Sequence, residues 1–191
     1  MKKRCGWVPE NNRLYTDYHD IEWGVPVHDD RKLFEFLILE GFQAGLSWST
    51  ILNKRENFKR AFDEFAAEKI VSYDQQKLDE LMNNPGIIRN KLKINAAVTN
   101  ARSFLKIQDE FGSFDAYIWK FVSGKTIQNH WKTLNDIPAM TEISDAMSKD
   151  LKQRGFKFVG STVCYAHMQA TGMVNDHTID CFRHHEVKMM K

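Results

Sequence analysis

The sequence predicts an all-α protein. Apolar residues recur three and four positions apart through most of the 191 residues, which is the periodicity of helices packed on a core. The alternation that is typical of strands is scarce, and residues 156–159 are the one short candidate for a strand. With 42% apolar and 12% aromatic residues, the chain can bury a sizeable core. We therefore expect a single domain over residues 1–191.

The helical segments can be placed in order along the chain. They are residues 31–41, 46–62, 76–83, 88–111, 114–122, 144–154 and 161–171. The first carries Leu33 and Leu37 one turn apart, and the third and fourth have similar one-sided apolar stripes. Gly112 suits the C-terminal cap of the fourth, basic residues before Gly155 suit the dipole at the end of the sixth, and Gly172 stops the last. The other long stretches are predicted to be irregular, namely residues 1–30, 123–140 and 176–191.

Composition and charge exclude several classes of protein. The formal net charge of +2 is close to neutral and indicates no particular partner. No apolar run follows the basic start of the chain, so we expect no signal peptide, and no stretch approaches the roughly 20 apolar residues that cross a bilayer. Three cysteines, which cannot all pair with one another, favour a reducing compartment. We predict a soluble, cytoplasmic protein without a membrane partner, and nothing suggests more than a monomer.

Four residues near the two ends of the chain could form one metal site. Cys5 and His19 lie near the start, and His177 and Cys181, four apart as on one helical turn, lie near the end. Two thiolates and two imidazoles suit a tetrahedral zinc, and four protein ligands leave no position for a reacting water. Such a zinc would be structural and would join the termini. The alternative is a surface thiol and a surface base that bind nothing.

The segment between two predicted helices resembles a tight hairpin. Pro85 and Gly86 predict a sharp turn, with Gly86 free to adopt positive φ. Ile88 follows it as an anchor to the core, and Arg89 lies beside the start of the next helix, together with Lys91 and Lys93. Positive charge at a helix start is unfavourable unless an anion binds there, so a DNA phosphate is one interpretation. An ordinary helix–turn–helix connection is the other.

Glu40 is an unusual residue for its predicted position. It shares one helix face with Leu33, Phe36 and Leu37, and a carboxylate that faces a core is costly unless it is paired or binds something. Flat aromatic side chains occur nearby in the sequence, and they are Trp7, Tyr15, Tyr18, Trp23 and Trp48. Together they suit a planar, cationic ligand that donates hydrogen bonds. Alternatively, Glu40 pairs with an arginine or lies at the helix edge, and the aromatic residues belong to the core.

Several uncommon strings point to one family. They are residues 4–8, 18–20, 22–26, 39–48, 86–89, 154–160, 168–170 and 174–177. In this order, over residues 4 to 181, the chain resembles the bacterial 3-methyladenine DNA glycosylase I family. The resemblance implies an all-α helix-hairpin-helix glycosylase that acts on double-stranded DNA carrying 3-methyladenine and releases the free base.

The resemblance also assigns roles to residues. It implies one structural zinc on Cys5, His19, His177 and Cys181, which would tie residues 1–30 and 173–191 into a smaller lobe. It implies base recognition by Tyr18, Trp48 and Glu40, with Glu40 as the catalytic group, and we add Tyr15 as a wall of the pocket. It implies DNA contacts by Gly45 and Leu46, where the family inserts a loop into the base stack, and by the hairpin residues Gly86, Ile88 and Arg89.

The chemistry of that substrate agrees with these residue types. Methylation at N3 makes the base cationic and weakens its glycosidic bond, so an enzyme can act largely by flipping the base and binding it. We expect the base to stack between Trp48 and Tyr18 while Glu40 accepts its hydrogen bonds. The family has no aspartate beyond the hairpin, Asp109 matches no pattern, and no motif supplies a lysine for lyase chemistry. Two alternatives remain: a damage-binding protein without turnover, and an unrelated zinc hydrolase with an open metal position.

Overall fold

Helices dominate the computed structural model, which describes residues 2–190. The helices are α1 (Arg13–Asp17), α2 (Asp30–Gln43), α3 (Trp48–Ala61), α4 (Ala67–Ile70), α5 (Gln75–Asn83), α6 (Lys91–Phe111), α7 (Phe114–Ile118), α8 (Glu142–Gln153), α9 (Ser161–Ala170) and α10 (Phe182–Lys188). A π-helical turn spans Tyr18–Glu22, and 3₁₀ turns span Asp63–Phe65, Trp119–Val122 and Leu134–Asp136. Two short strands, β1 (Ile127–Gln128) and β2 (Val174–Asn175), pair in parallel, with Ile127 opposite Val174.

Helix α2 lies at the centre of the core. The Asp29 side chain caps its start by accepting a hydrogen bond from the backbone N–H of Lys32 at 2.8 Å. Residues 33–42 are then buried without interruption, as expected for a helix that is covered on all sides. Its neighbours are α3, α6, α7 and α9. Any polar side chain on this part of α2 must therefore find a partner or a cavity inside the protein.

Each predicted helix has a counterpart in the structure, with shifts at the ends. The second begins at Trp48 because the Ser47 side chain caps it, and the fourth begins at Lys91 because Asn90 caps it. Gly112 closes α6 in the left-handed conformation with φ of 85°, which confirms the predicted cap. The helices are therefore fixed by local signals that the sequence displays.

The expectations for the irregular stretches are partly wrong. Residues 156–159 form no strand, and Phe158 adopts a positive φ of 55° that interrupts any extended backbone. The strands are β1 and β2, each two residues long. β1 lies in the predicted irregular stretch 123–140, and β2 lies between the last predicted helix and the stretch 176–191. The N-terminal stretch contains α1 and the π-helical turn, and the C-terminal stretch contains α10. Within residues 2–190, no helix has the length and apolar character needed to span a membrane.

Candidate functional site

A cavity of about 420 Å³ opens beside α2 and brings together residues from distant parts of the chain. Its walls are Trp7, Tyr15, Tyr18, Trp23, Glu40, Gln43, Trp48, Leu134, Ile137, Pro138, Ala166 and Gln169. All four residues predicted to bind the substrate base therefore line one cavity, namely Tyr15, Tyr18, Glu40 and Trp48. The volume and the largely aromatic lining are typical of a pocket for a small planar ligand.

Helix α2 aims Glu40 at this cavity. Glu40 follows Phe36 and Leu37 on one buried face, and the Glu40 residue is 3% exposed. Within residues 2–190 no hydrogen bond or ion pair reaches its carboxyl group, so the alternative of a partner arginine is wrong. The arginine next to this helix, Arg55, instead pairs with Glu35 at 2.7 Å. Among the described residues Glu40 thus has no counter-ion that would offset its burial, and its carboxyl group faces the cavity.

Burial sets the protonation state of Glu40. Desolvation raises its pKa to about 8, because the charged form loses water and gains no counter-ion. At neutral pH burial therefore favours the neutral carboxyl group, whereas the sequence indicated a carboxylate. A cation in the pocket would favour the ionised form, so its binding would release a proton.

The π-helical turn separates two neighbouring side chains. Tyr18 turns towards the cavity, whereas His19 turns towards the Cys/His cluster described below. Adjacent side chains on a helical turn point about 90–100° apart, which is enough for Tyr18 and His19 to enter different sites. Two adjacent residues of this turn therefore belong to two different sites, Tyr18 to the pocket wall and His19 to the cluster.

The aromatic residues do not form the expected sandwich. The ring centroids of Tyr18 and Trp48 are 5.3 Å apart with an interplanar angle of 40°, so the two rings pack on one another. A base stacked between two rings needs about 7 Å, twice a van der Waals contact of roughly 3.5 Å. The pair instead forms one wall. Trp7 makes edge contacts with Tyr15 at 5.6 Å and with Trp23 at 5.0 Å and extends the aromatic surface.

A further set of lining residues was missed by sequence reasoning. It comes from the 3₁₀ turn at Leu134–Asp136 with Ile137 and Pro138, and from Ala166 and Gln169 on α9. These residues lie more than ninety positions from Glu40 in sequence, and no local pattern marks them. The string at residues 168–170 was noted only for its resemblance.

The predicted metal ligands form one buried cluster. The ligand atoms of Cys5, His19, His177 and Cys181 all lie within 4.8 Å of one another. The Nε2 of His19 lies 3.4 Å from Cys181 Sγ, and the Nδ1 of His177 lies 3.5 Å from Cys5 Sγ and 3.7 Å from Cys181 Sγ. The expected helical turn is wrong, however, because the segment from His177 to Cys181 is a turn that ends where α10 begins.

Hydrogen bonds outside the cluster orient both imidazoles. The Nδ1–H of His19 donates to Asp20 at 2.7 Å, and the Nε2–H of His177 donates to the carbonyl oxygen of Trp23 at 3.1 Å. The other nitrogen of each ring, which then carries no proton, faces the sulfurs. A hydrogen bond between the two thiols raises the pKa of Cys5 and lowers the pKa of Cys181.

These groups fit a tetrahedral zinc. Bonds of about 2.3 Å to sulfur and about 2.0 Å to nitrogen give sulfur–nitrogen edges of about 3.5 Å, close to the observed separations. Two sulfurs and two unprotonated nitrogens are a typical ligand set for structural zinc, and a carboxylate and a carbonyl complete the outer hydrogen bonds. Trp23 connects this cluster with the pocket, since its ring contacts His177 at 4.6 Å between centroids and also lines the cavity.

The loop between α2 and α3 projects beside the pocket. Gly45 adopts a positive φ of 82°, and Leu46 is 40% exposed. A second cavity of about 410 Å³ is lined by this loop and shares four residues with the first, namely Gln43, Pro138, Ala166 and Gln169. The loop residues are thus accessible beside the opening, which is where the resemblance places DNA contacts.

The hairpin between α5 and α6 differs from the expectation in two respects. Gly86 does not adopt positive φ; a Cβ there would lie 2.9 Å from Asn84 Oδ1, so close approach requires the glycine. Lys93 is buried, and its Nζ donates to the backbone oxygens of Phe42 at 2.8 Å and Ala44 at 2.6 Å. It therefore caps the C-terminal end of α2 and is not available for a phosphate.

The other residues predicted at the hairpin are better placed. Arg89 and Lys91 are exposed, and within residues 2–190 neither side chain makes a hydrogen bond or an ion pair. Ile88 is half-buried and packs against the core, as expected of an anchor. Asp109, the acid beyond the hairpin, is exposed on α6. The hairpin thus presents free positive charge, whereas this acid has no place in the pocket.

Comparisons with known proteins agree on one family. The methyladenine glycosylase family matches residues 7–184. The chain is 48% identical to DNA-3-methyladenine glycosylase 1 of Escherichia coli K12, over 94% of this chain and 95% of that protein. It is also 48% identical to a DNA-3-methyladenine glycosylase of Haemophilus influenzae, over 95% of this chain and 97% of that protein.

Solved structures give the same result. A crystal structure of 3-methyladenine DNA glycosylase I superimposes with a TM-score of 0.92 at 48% identity, covering 94% of this chain and 98% of the other. The Staphylococcus aureus enzyme, whose structure concerns recognition of 3-methyladenine, gives 0.88 at 38% identity, with coverage of 90% and 92%. With a family match over nearly the whole sequence and near-complete overlap with these relatives, the chain belongs to the methyladenine glycosylase family.

Proposed function

We propose that this protein is a base-excision repair glycosylase that flips 3-methyladenine out of alkylated DNA and removes it by hydrolysis. The observation that carries the proposal is the unpaired, buried carboxyl group of Glu40 in an aromatic pocket. Proteins keep such a group at a cost, and sites where burial perturbs the pKa of a carboxyl group are frequently functional. Relatives of nearly equal length are named for this activity.

The pocket residues have different proposed roles. Tyr18 and Trp48 form one wall on which the base stacks, and Tyr15 closes the cavity beside them. Glu40 accepts hydrogen bonds from the polar edge of the base, and its ionised form attracts a cationic base strongly in a dry site. Attraction of the bound base alone stabilises the substrate, so the carboxyl group assists the reaction only through contacts that favour the departing base.

We further propose that DNA binds in the manner of a helix-hairpin-helix protein. The hairpin of Gly86, Ile88 and Arg89 would hold the phosphate backbone, and Gly45 and Leu46 would enter the base stack and fill the space of the flipped nucleotide. The support is the exposed charge of Arg89 and the exposure of Leu46 beside the pocket. Contacts of a hairpin with the phosphate backbone position a protein on DNA without reading its sequence. We expect a monomer to suffice, with no lyase activity.

The metal proposal is one structural zinc. Cys5, His19, His177 and Cys181 would hold it, and a closed tetrahedral site supplies a cross-link between the termini and no reactive water. The zinc hydrolase alternative is disfavoured for the same reason. In a metal assay we expect about one zinc per chain.

The variant Cys181→Ala tests this zinc. We expect it to lose the metal and to melt at a markedly lower temperature, while Cys164→Ala, which removes a buried thiol away from the cluster, keeps the metal. An unchanged melting temperature in a Cys181→Ala protein that lacks zinc would refute a structural role.

The proposed reaction is tested directly on alkylated duplex DNA. The purified protein is incubated without added metal, and the released bases are identified by chromatography. We expect free 3-methyladenine as the product, and a loss of this product with Glu40→Ala. If a folded, zinc-loaded protein binds damaged DNA but releases no base, the protein is a damage-binding relative without turnover.

A further inference from the structure

Asp176 is a buried residue that accepts hydrogen bonds from several side chains. It precedes the predicted metal ligand His177 in the chain and binds Gln169, which lines the pocket. It is 0% exposed, and four side chains donate hydrogen bonds to its carboxylate. The donors are Asn129 Nδ2 at 2.7 Å, Trp131 Nε1 at 2.7 Å, Tyr165 Oη at 2.6 Å and Gln169 Nε2 at 2.8 Å. The carboxylate is therefore fully satisfied, and its own position is fixed from several sides.

This carboxylate determines how the Gln169 amide is oriented. A carboxylate only accepts hydrogen bonds, so the group of Gln169 that faces Asp176 must be the NH₂ group and not the carbonyl oxygen. Within residues 2–190 no protein donor reaches Gln169 Oε1. Since Gln169 lines the cavity, what it can offer a ligand is this hydrogen-bond acceptor, held in a defined orientation.

We infer that Gln169 is a specificity residue, whose Oε1 accepts a hydrogen bond from the exocyclic 6-amino group of the bound base. Asp176 is its positioning residue. The inference rests on the proposed function and deepens it. Gln169 projects from α9 and Glu40 from α2, so the cavity has acceptors on two elements, and an amino group has two N–H bonds for them.

The same arrangement rejects bases with a carbonyl oxygen at position 6. The carbonyl oxygen of such a base is a hydrogen-bond acceptor, and Gln169 Oε1 is an acceptor too. Neither oxygen can donate to the other, so both remain without a hydrogen bond. The amide cannot rotate by 180° to compensate, because it would then place its own oxygen against the Asp176 carboxylate. Discrimination through an unpaired buried acceptor is larger than discrimination by shape alone.

The test compares two free bases, 3-methyladenine and 3-methylhypoxanthine, which differ in the group at position 6 and in the proton on the imidazole ring. Their affinities are measured by calorimetry for the wild type and for Gln169→Met, which keeps the length of the side chain and removes the amide. The wild type and the variant are given the same two bases, so the change in preference between the two proteins reports on Gln169. We expect the preference for 3-methyladenine to fall by roughly tenfold in the variant, the worth of one neutral hydrogen bond. A preference that stays unchanged would overturn the inference.

Tyr165→Phe is the matched control. It removes a different hydrogen bond to the same oxygen of Asp176 and leaves the Gln169 acceptor in place. We expect its preference between the two bases to stay within twofold of the wild type. An equal loss in Tyr165→Phe would show that any disturbance of this hydrogen-bond network lowers the preference, and Gln169 would then not be the residue that determines it.

Two further measurements keep the outcomes distinct. Melting temperatures confirm that both variants are folded, and Gln169→Ala replaces Gln169→Met if the methionine is not tolerated. If the wild type itself binds no 3-methyladenine, the proposed function fails. If the wild type binds it and Gln169→Met keeps the full preference, only the role of Gln169 fails.

Discussion

Glu35 and Glu40 lie five residues apart on α2, and their surroundings are opposite. Both are buried, at 4% and 3% exposure. Glu35 accepts a hydrogen bond from Arg55 at 2.7 Å and lies 3.2 Å from Lys32. The same arginine binds Glu22 with two hydrogen bonds, at 2.7 and 2.6 Å. Glu40 has no such partner within residues 2–190 and faces an aromatic cavity.

The difference shows that one helix can carry both a carboxylate that stabilises the fold and a carboxyl group that faces a binding cavity. Around Glu35, cations offset the desolvation of each carboxylate, and this ion-pair cluster connects α2, α3 and the π-helical turn. At Glu40 the same cost is left uncompensated, and burial raises the pKa of its carboxyl group to about 8. Removing a partner should therefore damage the fold in the first region, whereas changing the carboxyl group should damage recognition in the second.

Arg55→Met should give the largest effect. It leaves Lys32, at 2.9 Å from Glu22 and 3.2 Å from Glu35, as their remaining cation, and breaking the mostly buried pairs with Arg55 costs about 3 kcal/mol of unfolding free energy. Urea denaturation measures this loss. Arg31→Met removes an exposed ion pair with Glu68 at 3.4 Å and should cost less than about 1 kcal/mol. If both variants lost a similar unfolding free energy, the buried ion pairs of Arg55 would stabilise the fold no more than an exposed pair does.

Glu40→Gln should change how stability depends on pH. The folded-state pKa of about 8 exceeds the unfolded value of roughly 4.3, so the folded protein binds the proton more tightly. The resulting stability is present below about pH 4.3 and is lost as pH rises towards 8. The glutamine variant lacks this loss, so its advantage over the wild type should grow by on the order of 3 kcal/mol between pH 5 and pH 8. Parallel pH profiles would show that Glu40 is not buried as described.

Excision by Glu40→Gln should fall by roughly 10- to 100-fold, the worth of a hydrogen bond to a charged group. The measurement is single-turnover release of 3-methyladenine below the melting temperature of each variant. Glu35→Gln is the control, because it weakens the ion pair with Arg55 and leaves the pocket lining unchanged. We expect it to lose stability and to keep its rate. If Glu35→Gln lost the excision rate and Glu40→Gln kept it, Glu35 and not Glu40 would be the residue that acts on the base.

The fold could be predicted from the sequence wherever local signals decide it. The stripe at Leu33 and Leu37, the cap at Gly112 and the stop at Gly172 each mark a helix by short-range chemistry. The strands were missed because each is only two residues long and its partner is more than forty positions away. The π-helical turn was also missed, since one inserted residue leaves no trace in an apolar pattern.

The position of the site could be predicted from the apolar stripe that also predicted α2. Glu40 is conspicuous because it interrupts an apolar helix face, and burial confirms it. Lys93 shows the limit: its position in a basic cluster suggested a phosphate, but the backbone oxygens of Phe42 and Ala44 bind it after a chain reversal of about fifty residues. The amide orientation of Gln169 is equally hidden, because Asp176 acts on it across the fold.

Arg89→Ala should give the smallest effect and lies in neither region. Arg89 is exposed and makes no hydrogen bond or ion pair with the residues that the structure describes, so its loss removes at most about one phosphate contact and lowers the slope of log affinity against log salt by about 0.9. Binding to intact and alkylated duplexes should weaken equally, by a few-fold at moderate salt. Glu40→Gln, by contrast, should weaken binding only to the alkylated duplex, because an intact base does not occupy the pocket as a cation. A loss in Arg89→Ala that depended on the lesion would mean that the hairpin takes part in base recognition, and the pocket at Glu40 would no longer account for specificity alone.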